Sequence, residues 1–397
     1  MKNIFQIIFF LVLLFPVFAH SQSKQNNNEA IATFPFKILI GGTIILKIQI
    51  DSSKDSLNFI FDTGNSANTI DSLTATKLKF SSENTNKKFR GVGGSTPAII
   101  SKNHLLGFNK DLHFLTDFYI HNYDLLTDYL GIKIDGIIGL VFTKHYVVDI
   151  NFDSLKFTIY NKKKYIYPRG CEIINLTTNP LFHFPVSLKE KKTNYSKSLI
   201  FDTGAGLDLI ISRDFVSAEQ FYDTNKKIWK TNGEGLAGKI SMDLTVTKKL
   251  KIGSFYFKNV PTYIIEDSGH LFNHPHCAGL VGNNILKRFN QIINISKSEV
   301  CIRPNYYFFE RFDYNYLGFN LFSFNNKVYI TDIIENSPAT KAGLKDFDEV
   351  YCINNKCLTD LQSYKAVLQN INRNCTILYK RDGIILGTEL KVESILK

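Results

Sequence analysis

Beyond its N-terminal end the chain has no apolar run of the roughly 20 residues that a membrane-spanning helix needs. It also lacks the H-E-x-x-H, G-x-S-x-G and glycine-rich phosphate-loop patterns, so zinc-dependent hydrolysis, the serine-hydrolase elbow and nucleotide chemistry lose their usual marks. No cysteine precedes Cys171. The six cysteines (Cys171, Cys277, Cys301, Cys352, Cys357, Cys375) are an even number that an oxidising compartment could pair, but spacing alone selects no partners. Cys352-x4-Cys357 is too loose for a zinc or thioredoxin signature. The net charge of +11 is not gathered on one element: lysines are scattered or form short runs such as Lys162-Lys163-Lys164. A nucleic-acid partner is therefore not expected, and no cofactor or metal is either.

At the N-terminus, Lys2 precedes an apolar run from Ile4 to Phe18, broken only by Gln6 and Pro16 and followed by Ala19-His20-Ser21. That pattern predicts a signal peptide over residues 1–21. Gln22, not cysteine, follows the predicted cleavage site, so a lipid anchor is not expected. The mature chain should be exported, to a periplasm or beyond the cell, with no membrane span. Residues 22–29 read as a linker.

The chain then repeats itself. Asn58-Phe59-Ile60-Phe61-Asp62-Thr63-Gly64 returns 140 residues on as Ser198-Leu199-Ile200-Phe201-Asp202-Thr203-Gly204. Arg90-Gly91-Val92-Gly93-Gly94 is answered by Glu234-Gly235-Leu236-Ala237-Gly238, and Gly136-Ile137-Ile138-Gly139 by Gly279-Leu280-Val281-Gly282. Ile44, Leu46 and Ile48 alternate with Thr43, Ile45 and Lys47, which predicts a strand. Two strand-rich lobes are expected, residues 30–165 and 166–305.

An acidic residue after three apolar ones, then Thr-Gly, is what a strand needs to deliver a carboxylate into a tight turn. Gly64 and Gly204 permit the turn and let backbone amides approach. One such element is weak evidence. Two in a duplicated chain can meet across a pseudo-twofold axis, and two carboxylates in contact share one proton and titrate as a unit. Such a pair can activate water while polarising a carbonyl.

Residues 30–305 resemble the retropepsin and pepsin superfamily in its single-chain form, which implies an aspartic endopeptidase acting on peptide or protein substrates as a monomer. The resemblance implies that Asp62 and Asp202 are the catalytic dyad, braced by Thr63 and Thr203. It implies that Ser66 lies where family members place a hydroxyl on the outer oxygen of the first aspartate, whereas the second lobe has Gly206. Gly91, Gly93 and Gly94, with Gly235 and Gly238, would belong to flaps that close over the substrate.

Other candidates read as decoys. Asp267-Ser268-Gly269 has His270 where a second glycine would stand, and His270, His274, His276 and Cys277 are interrupted by Pro275, which spoils a helical metal-ligand spacing. From about Arg311 the pattern changes. Leu317-Gly318-Phe319, then Ser337-Pro338-Ala339 and Ala342-Gly343-Leu344, resemble a bacterial PDZ domain over residues 311–397, with Phe347 where a glycine is usual. That resemblance implies a peptide-binding loop at Leu317, Gly318 and Phe319 that takes a C-terminal peptide ligand, unless the protein's own loops fill the groove. The predicted architecture is thus mainly β: a two-lobed peptidase followed by an α+β PDZ-like domain. A non-catalytic peptide-binding scaffold is the alternative, which the intact pair of D-T-G elements disfavours.

Overall fold

The structure, a computed structural model, describes residues 28–92, 94–163, 165–178, 180–235, 238–267, 271–272, 277–312, 317–358, 360–369 and 373–396. The expected signal peptide, most of the 22–29 linker, Gly93, His270, His274 and His276 lie outside them. The chain is mainly β, and no helix among the described residues is long and apolar enough to cross a membrane.

Two eight-stranded sheets are threaded alike. Edge to edge, the first runs Lys37–Ile38, Ile44–Ile50, Leu57–Phe61, Gly136–Ile138, Thr69–Asp71, His113–His121, Gly94–Gly107 and Glu83–Gly91. The second runs Thr177–Thr178, Phe182–Glu190, Thr193–Phe201, Cys277–Val281, Leu209–Ser212, Phe255–Ile265, Gly238–Ile252 and Trp229–Gly235. Numbered within each sheet in chain order, both read 1-2-3-8-4-7-6-5, and in both the second strand also pairs with the sixth.

A third sheet joins the halves: Ala30–Pro35, Lys156–Asn161, Tyr146–Asn151, Phe289–Asn294, Glu299–Pro304 and Glu172–Asn175. At its centre Asp149 faces Ile292, with Val148 opposite Ile293 and Ile150 opposite Gln291. Residues 149 and 292 stand 143 apart, as do Gly139 and Gly282, so the pseudo-twofold axis passes through that pair. The disulfide Cys171–Cys301 ties the last two strands of this sheet; Cys352–Cys357 closes a turn further on, while Cys277 and Cys375 are free.

One apolar core runs through both halves, with Phe59, Phe61, Phe118, Phe184 and Phe201 almost wholly buried. Each such side chain contributes about 1.5–3 kcal/mol. The alternation along Ile44–Ile50 holds for Ile44, Leu46 and Ile48, which enter this core. Ile45 departs from it: it is also buried, packing with Ile60, Leu130, Ile134 and Ile137 in a second cluster on the outer face.

After Pro304 the chain does not hang loose. The buried Arg288 guanidinium donates to the carbonyls of Tyr307, Phe308 and Arg311 at 3.3, 3.5 and 3.2 Å, and to that of Glu310, and lies 4.5 Å from the Phe312 ring centroid. A five-stranded sheet follows, ordered Asn320–Phe324, Lys327–Thr331, Glu349–Ile353, Asn374–Arg381 and Ile384–Lys391, with helices Pro338–Lys341 and Leu361–Val367 and a core of its own around Ile330, Tyr364 and Ile377. Ser337 caps the first of these helices, accepting from Thr340 N, with Pro338 at its start. Phe347, at the position where glycine is usual, has φ of +69° and an exposed ring.

Candidate active site

Each D-T-G turn leaves the end of a central strand. The Asp62 amide donates to Ile138 O at 2.9 Å and the Asp202 amide to Val281 O at 3.1 Å, so the eighth strand of each sheet fixes where its aspartate emerges. Behind each turn sits a glycine with no room for a side chain: a Cβ on Gly139 would collide with Asn65 O and Ala67 O, and one on Gly282 with Ala205 O and Leu207 O. Leu140 N donates to Asn65 O at 2.8 Å and Asn283 N to Ala205 O at 2.7 Å, which holds the turns from below.

Thr63 and Thr203 bind each other reciprocally across the axis. Thr63 N donates to Thr203 Oγ1 and Thr203 N to Thr63 Oγ1, both at 3.0 Å. Each hydroxyl then donates to the opposite strand, Thr63 Oγ1 to Phe201 O at 2.6 Å and Thr203 Oγ1 to Phe61 O at 3.1 Å. All four groups are buried, so each bond satisfies a donor or acceptor that would otherwise be costly. Gly64 and Gly204 allow the closest approach: a Cβ on Gly64 would strike the Asp202 carboxylate, and one on Gly204 the Asp62 carboxylate.

Asp62 and Asp202 thus meet face to face and are hydrogen-bonded to each other. Burial, then the neighbouring Asp202 charge, pushes the Asp62 carboxyl well above the usual carboxylate range. Burial raises Asp202 as well, but backbone amides and the bond from Asp62 oppose the rise. The amides are unequal. Asp62 Oδ1 accepts from Gly64 N at 2.7 Å, while Asp202 Oδ1 accepts from both Gly204 N and Ala205 N at 2.9 Å. The hydrogen bonds to its Oδ1 favour the charged form at Asp202 more than at Asp62. Ser66 lines the cleft but is exposed, and no hydrogen bond joins its hydroxyl to Asp62 among the described residues. The two carboxylates differ through their amides, not through that hydroxyl.

The dyad opens into a cleft of about 1330 Å³. Two hairpins overhang it, one turning between Gly91 and Gly94 and the other between Gly235 and Gly238, each of these glycines paired with its partner. Gly94 and Gly238 have φ of +135° and +117°, a conformation that side chains oppose. Both hairpins line the cleft, through residues such as Phe89, Val92, Thr231 and Ile240. Sequence reading missed several wall residues: Tyr123, whose hydroxyl meets Thr69 Oγ1 at 2.5 Å, and Asn320 and Ile334 from the C-terminal region. No local pattern marks them.

Of the remaining candidates only Asp267 and Cys277 lie among the described residues. Asp267 accepts Leu271 N and Phe272 N at 2.7 and 2.8 Å and so caps a turn. Among the described residues no cluster of three or more His, Cys, Asp and Glu is arranged to hold a metal. Asp51, His104 and Ser101 form a chain of hydrogen bonds at 2.9 and 2.8 Å that resembles a hydrolytic triad. Ser101 is buried, however, and donates to Ser81 O, while the His104 ring stacks on Phe80, so the hydroxyl is closed to a substrate.

At the C-terminal end, Leu317 and Phe319 are buried in the domain core, and Gly318, with φ of +78°, sits against Ser337. The loop opens directly onto the edge strand Asn320–Phe324. The PDZ domain family model matches residues 329–381, within the predicted span. Among solved structures, an aspartic proteinase from Irpex lacteus is similar at a TM-score of 0.40 and 15% identity, over 70% of this chain and 98% of that one. No curated protein matches the sequence. The C-terminal region of this mainly β chain is a PDZ domain, a peptide-binding module.

Proposed function

We propose that the protein is an aspartic endopeptidase that hydrolyses peptide bonds with a water activated by Asp62 and Asp202, residues 30–165 and 166–305 forming the two catalytic lobes. The observation that carries this reading is the pair of carboxylates in contact across the pseudo-twofold axis, both lining a cleft that two hairpins also line. Two carboxylates in contact are costly to keep, and four buried hydrogen bonds of Thr63 and Thr203 hold their turns together.

The unequal amides assign the roles. Asp202, the anion, takes a proton from a water lying between the carboxylates while that water attacks the carbonyl carbon. Asp62 gives its proton to the carbonyl oxygen, and a neutral tetrahedral diol forms. Its collapse breaks the C–N bond as Asp202 passes its proton to the leaving amine nitrogen and a hydroxyl of the diol gives its proton to Asp62, so the pair again holds one proton. Gly91, Gly94, Gly235 and Gly238 let the hairpins close over an extended chain and exclude water. The PDZ domain, whose residues 320 and 334 share the cleft wall, assists substrate docking. An export signal at residues 1–21 would place this activity outside the cytoplasm.

The test is a peptide-library digest with the purified chain, alongside Asp62→Asn and a statine-type peptide that mimics the diol. Cleavage at interior bonds, abolished in the variant and blocked by the inhibitor, is expected. Cleavage that survives in Asp62→Asn would overturn the assignment.

A further inference from the structure

The PDZ domain touches the rest of the chain on two faces. On one, helix Asp124–Leu130 of the first half packs on the edge strand Asn320–Phe324, and its C-terminal end is hydrogen-bonded to the helix Leu361–Val367; a PDZ domain takes a peptide as an added strand at such an edge. Gln362 Nε2 donates to Leu130 O at 2.9 Å and its Oε1 accepts from Ile40 N at 2.9 Å. Lys365 Nζ donates to Tyr129 O at 2.8 Å and sits 4.4 Å from the Tyr129 ring centroid. Gly131, with φ of +70°, lies so close to Leu361 that a Cβ there would come within 2.5 Å of it. The groove is thus covered by the protein's own helix.

On the other face, Asp332 takes hold of the second hairpin. Its Oδ1 accepts from Asn232 N and Asn232 Nδ2 at 2.9 and 2.8 Å, and its Oδ2 from Thr231 Oγ1 at 2.5 Å and Asn320 Nδ2 at 3.0 Å. Beside this contact Ile334 and Ile395 pack with Leu244 and Trp229 of the hairpin. Thr231 and Asn232, which Asp332 fixes, and Asn320 and Ile334, which flank it, all face the cleft that holds Asp62 and Asp202.

We propose that Asp332 is a positioning residue that sets the second hairpin against the substrate, and that the PDZ domain, its groove covered by helix Asp124–Leu130, is a fixed wall of the cleft selecting interior stretches of extended peptide. Substrates on this account are chains long enough to run from the dyad to Asn320 and Ile334, and a free C-terminal carboxylate adds nothing to their recognition. The inference rests on the peptidase reading for its substrates, but the contact of Asp332 with the hairpin stands apart from any activity.

The full chain is compared with Asp332→Ala, Asp332→Asn and, from the other side of the contact, Thr231→Val. On peptides of about ten residues, Asp332→Ala should raise KM roughly tenfold with kcat within about twofold, since the lost contacts act on binding. Asp332→Asn, which keeps Oδ1 as an acceptor, should recover most of that loss, and Thr231→Val should lie between. Free and amidated C-termini should give equal kinetics. Amide hydrogen exchange over residues 229–235 and 238–252 should quicken at least about tenfold in Asp332→Ala. The proposal is overturned by an unchanged KM, by a fall in kcat alone, which would mean loss of folded protein, or by a preference for the free C-terminus. If the wild-type chain cleaves nothing, the peptidase reading fails and exchange alone decides: an unchanged hairpin overturns the role of Asp332, and a loosened one supports it.

Discussion

Asp62 and Asp202 stand at equivalent turns of two sheets threaded in the same order, yet their carboxylates are not held alike. In the second turn the amide of Ala205 reaches Asp202 Oδ1; in the first, the equivalent amide of Asn65 points to the Asp62 carbonyl oxygen at 3.4 Å. By direct hydrogen bonds the second turn gives its carboxylate one amide more than the first, and the Gly204 amide acts on Asp62 only across the pair. A carboxylate that accepts more N–H bonds is the better anion, so in the proposed mechanism the duplicated scaffold would supply one acid and one base. Symmetry brings the groups together, and a local break in it makes their surroundings unequal.

The largest expected effect comes from removing either member. Asp62→Asn and Asp202→Asn should each lower kcat/KM for peptide cleavage by more than about a thousandfold, because neither an acid nor a base alone completes the proton cycle. Their stabilities should differ from wild type in a pH-dependent way. Burial and the Asp202 charge raise the Asp62 carboxyl above its unfolded value, so the folded state binds that proton more tightly than the unfolded chain does. The stability this gives is fully present below the unfolded pKa and is lost as pH rises through the folded one. Urea unfolding at about pH 7.5 should therefore find Asp62→Asn more stable than wild type, and the gain should vanish near pH 3.

Next come the glycines that let the halves touch. Gly64→Ala and Gly204→Ala each drive a methyl group into the opposite carboxylate. Displacing a catalytic group by about 1 Å costs on the order of a hundredfold in rate, so both should fall by at least that factor in kcat, and by similar amounts if the turns are equivalent. A large difference between the two would show that one half tolerates the strain better. Gly238→Ala is the contrast: nothing stands within 4 Å of a Cβ there, and only its φ of +117° resists the change. Its effect should be confined to the hairpin, and read as faster exchange there.

Legibility in the sequence followed the range of the contacts. That Asp62 would meet Asp202 and Thr63 would meet Thr203 was readable because duplication writes each motif twice, and the threonine bonds join Asp62's turn to its own repeat 140 residues on. What was not readable depends on packing between parts with no shared pattern. Asp332 meets Thr231 across 101 residues, and nothing in either segment announces the other. Helix Asp124–Leu130 reads as a short element of the first half, and only its placement shows that it lies against the PDZ edge strand. Ser66 carried an expectation taken from resemblance, and the side chain faces the solvent of the cleft instead. The second buried face at Ile45 escaped because alternation describes one covered side, while a helix covers the other.

The smallest effect lies on the axis itself, where the halves differ by a single pair of residues. Asp149 and Ile292 are symmetry equivalents that face each other, so one half offers a carboxyl where the other offers an isoleucine. Burial pushes the Asp149 carboxyl up to about 6, with Arg303 opposing the shift. Its ordinary value is 3.8, so the folded state prefers the protonated form between these limits. The stability it gives is complete below the lower value and disappears as pH rises through the upper one. At about pH 7.5 the ionised group is a cost, and Asp149→Asn, which keeps the shape without the charge, should stabilise the chain by about 1–3 kcal/mol. At about pH 3.5 variant and wild type should unfold at the same urea concentration. Peptide cleavage should not change at either pH, because the six-stranded sheet that carries Asp149 contributes no residue to the cleft. A variant equally stable at both pH values would show that Arg303 or solvent already neutralises the carboxyl, and that the axis tolerates the exchange of aspartate for isoleucine without an electrostatic difference between the halves.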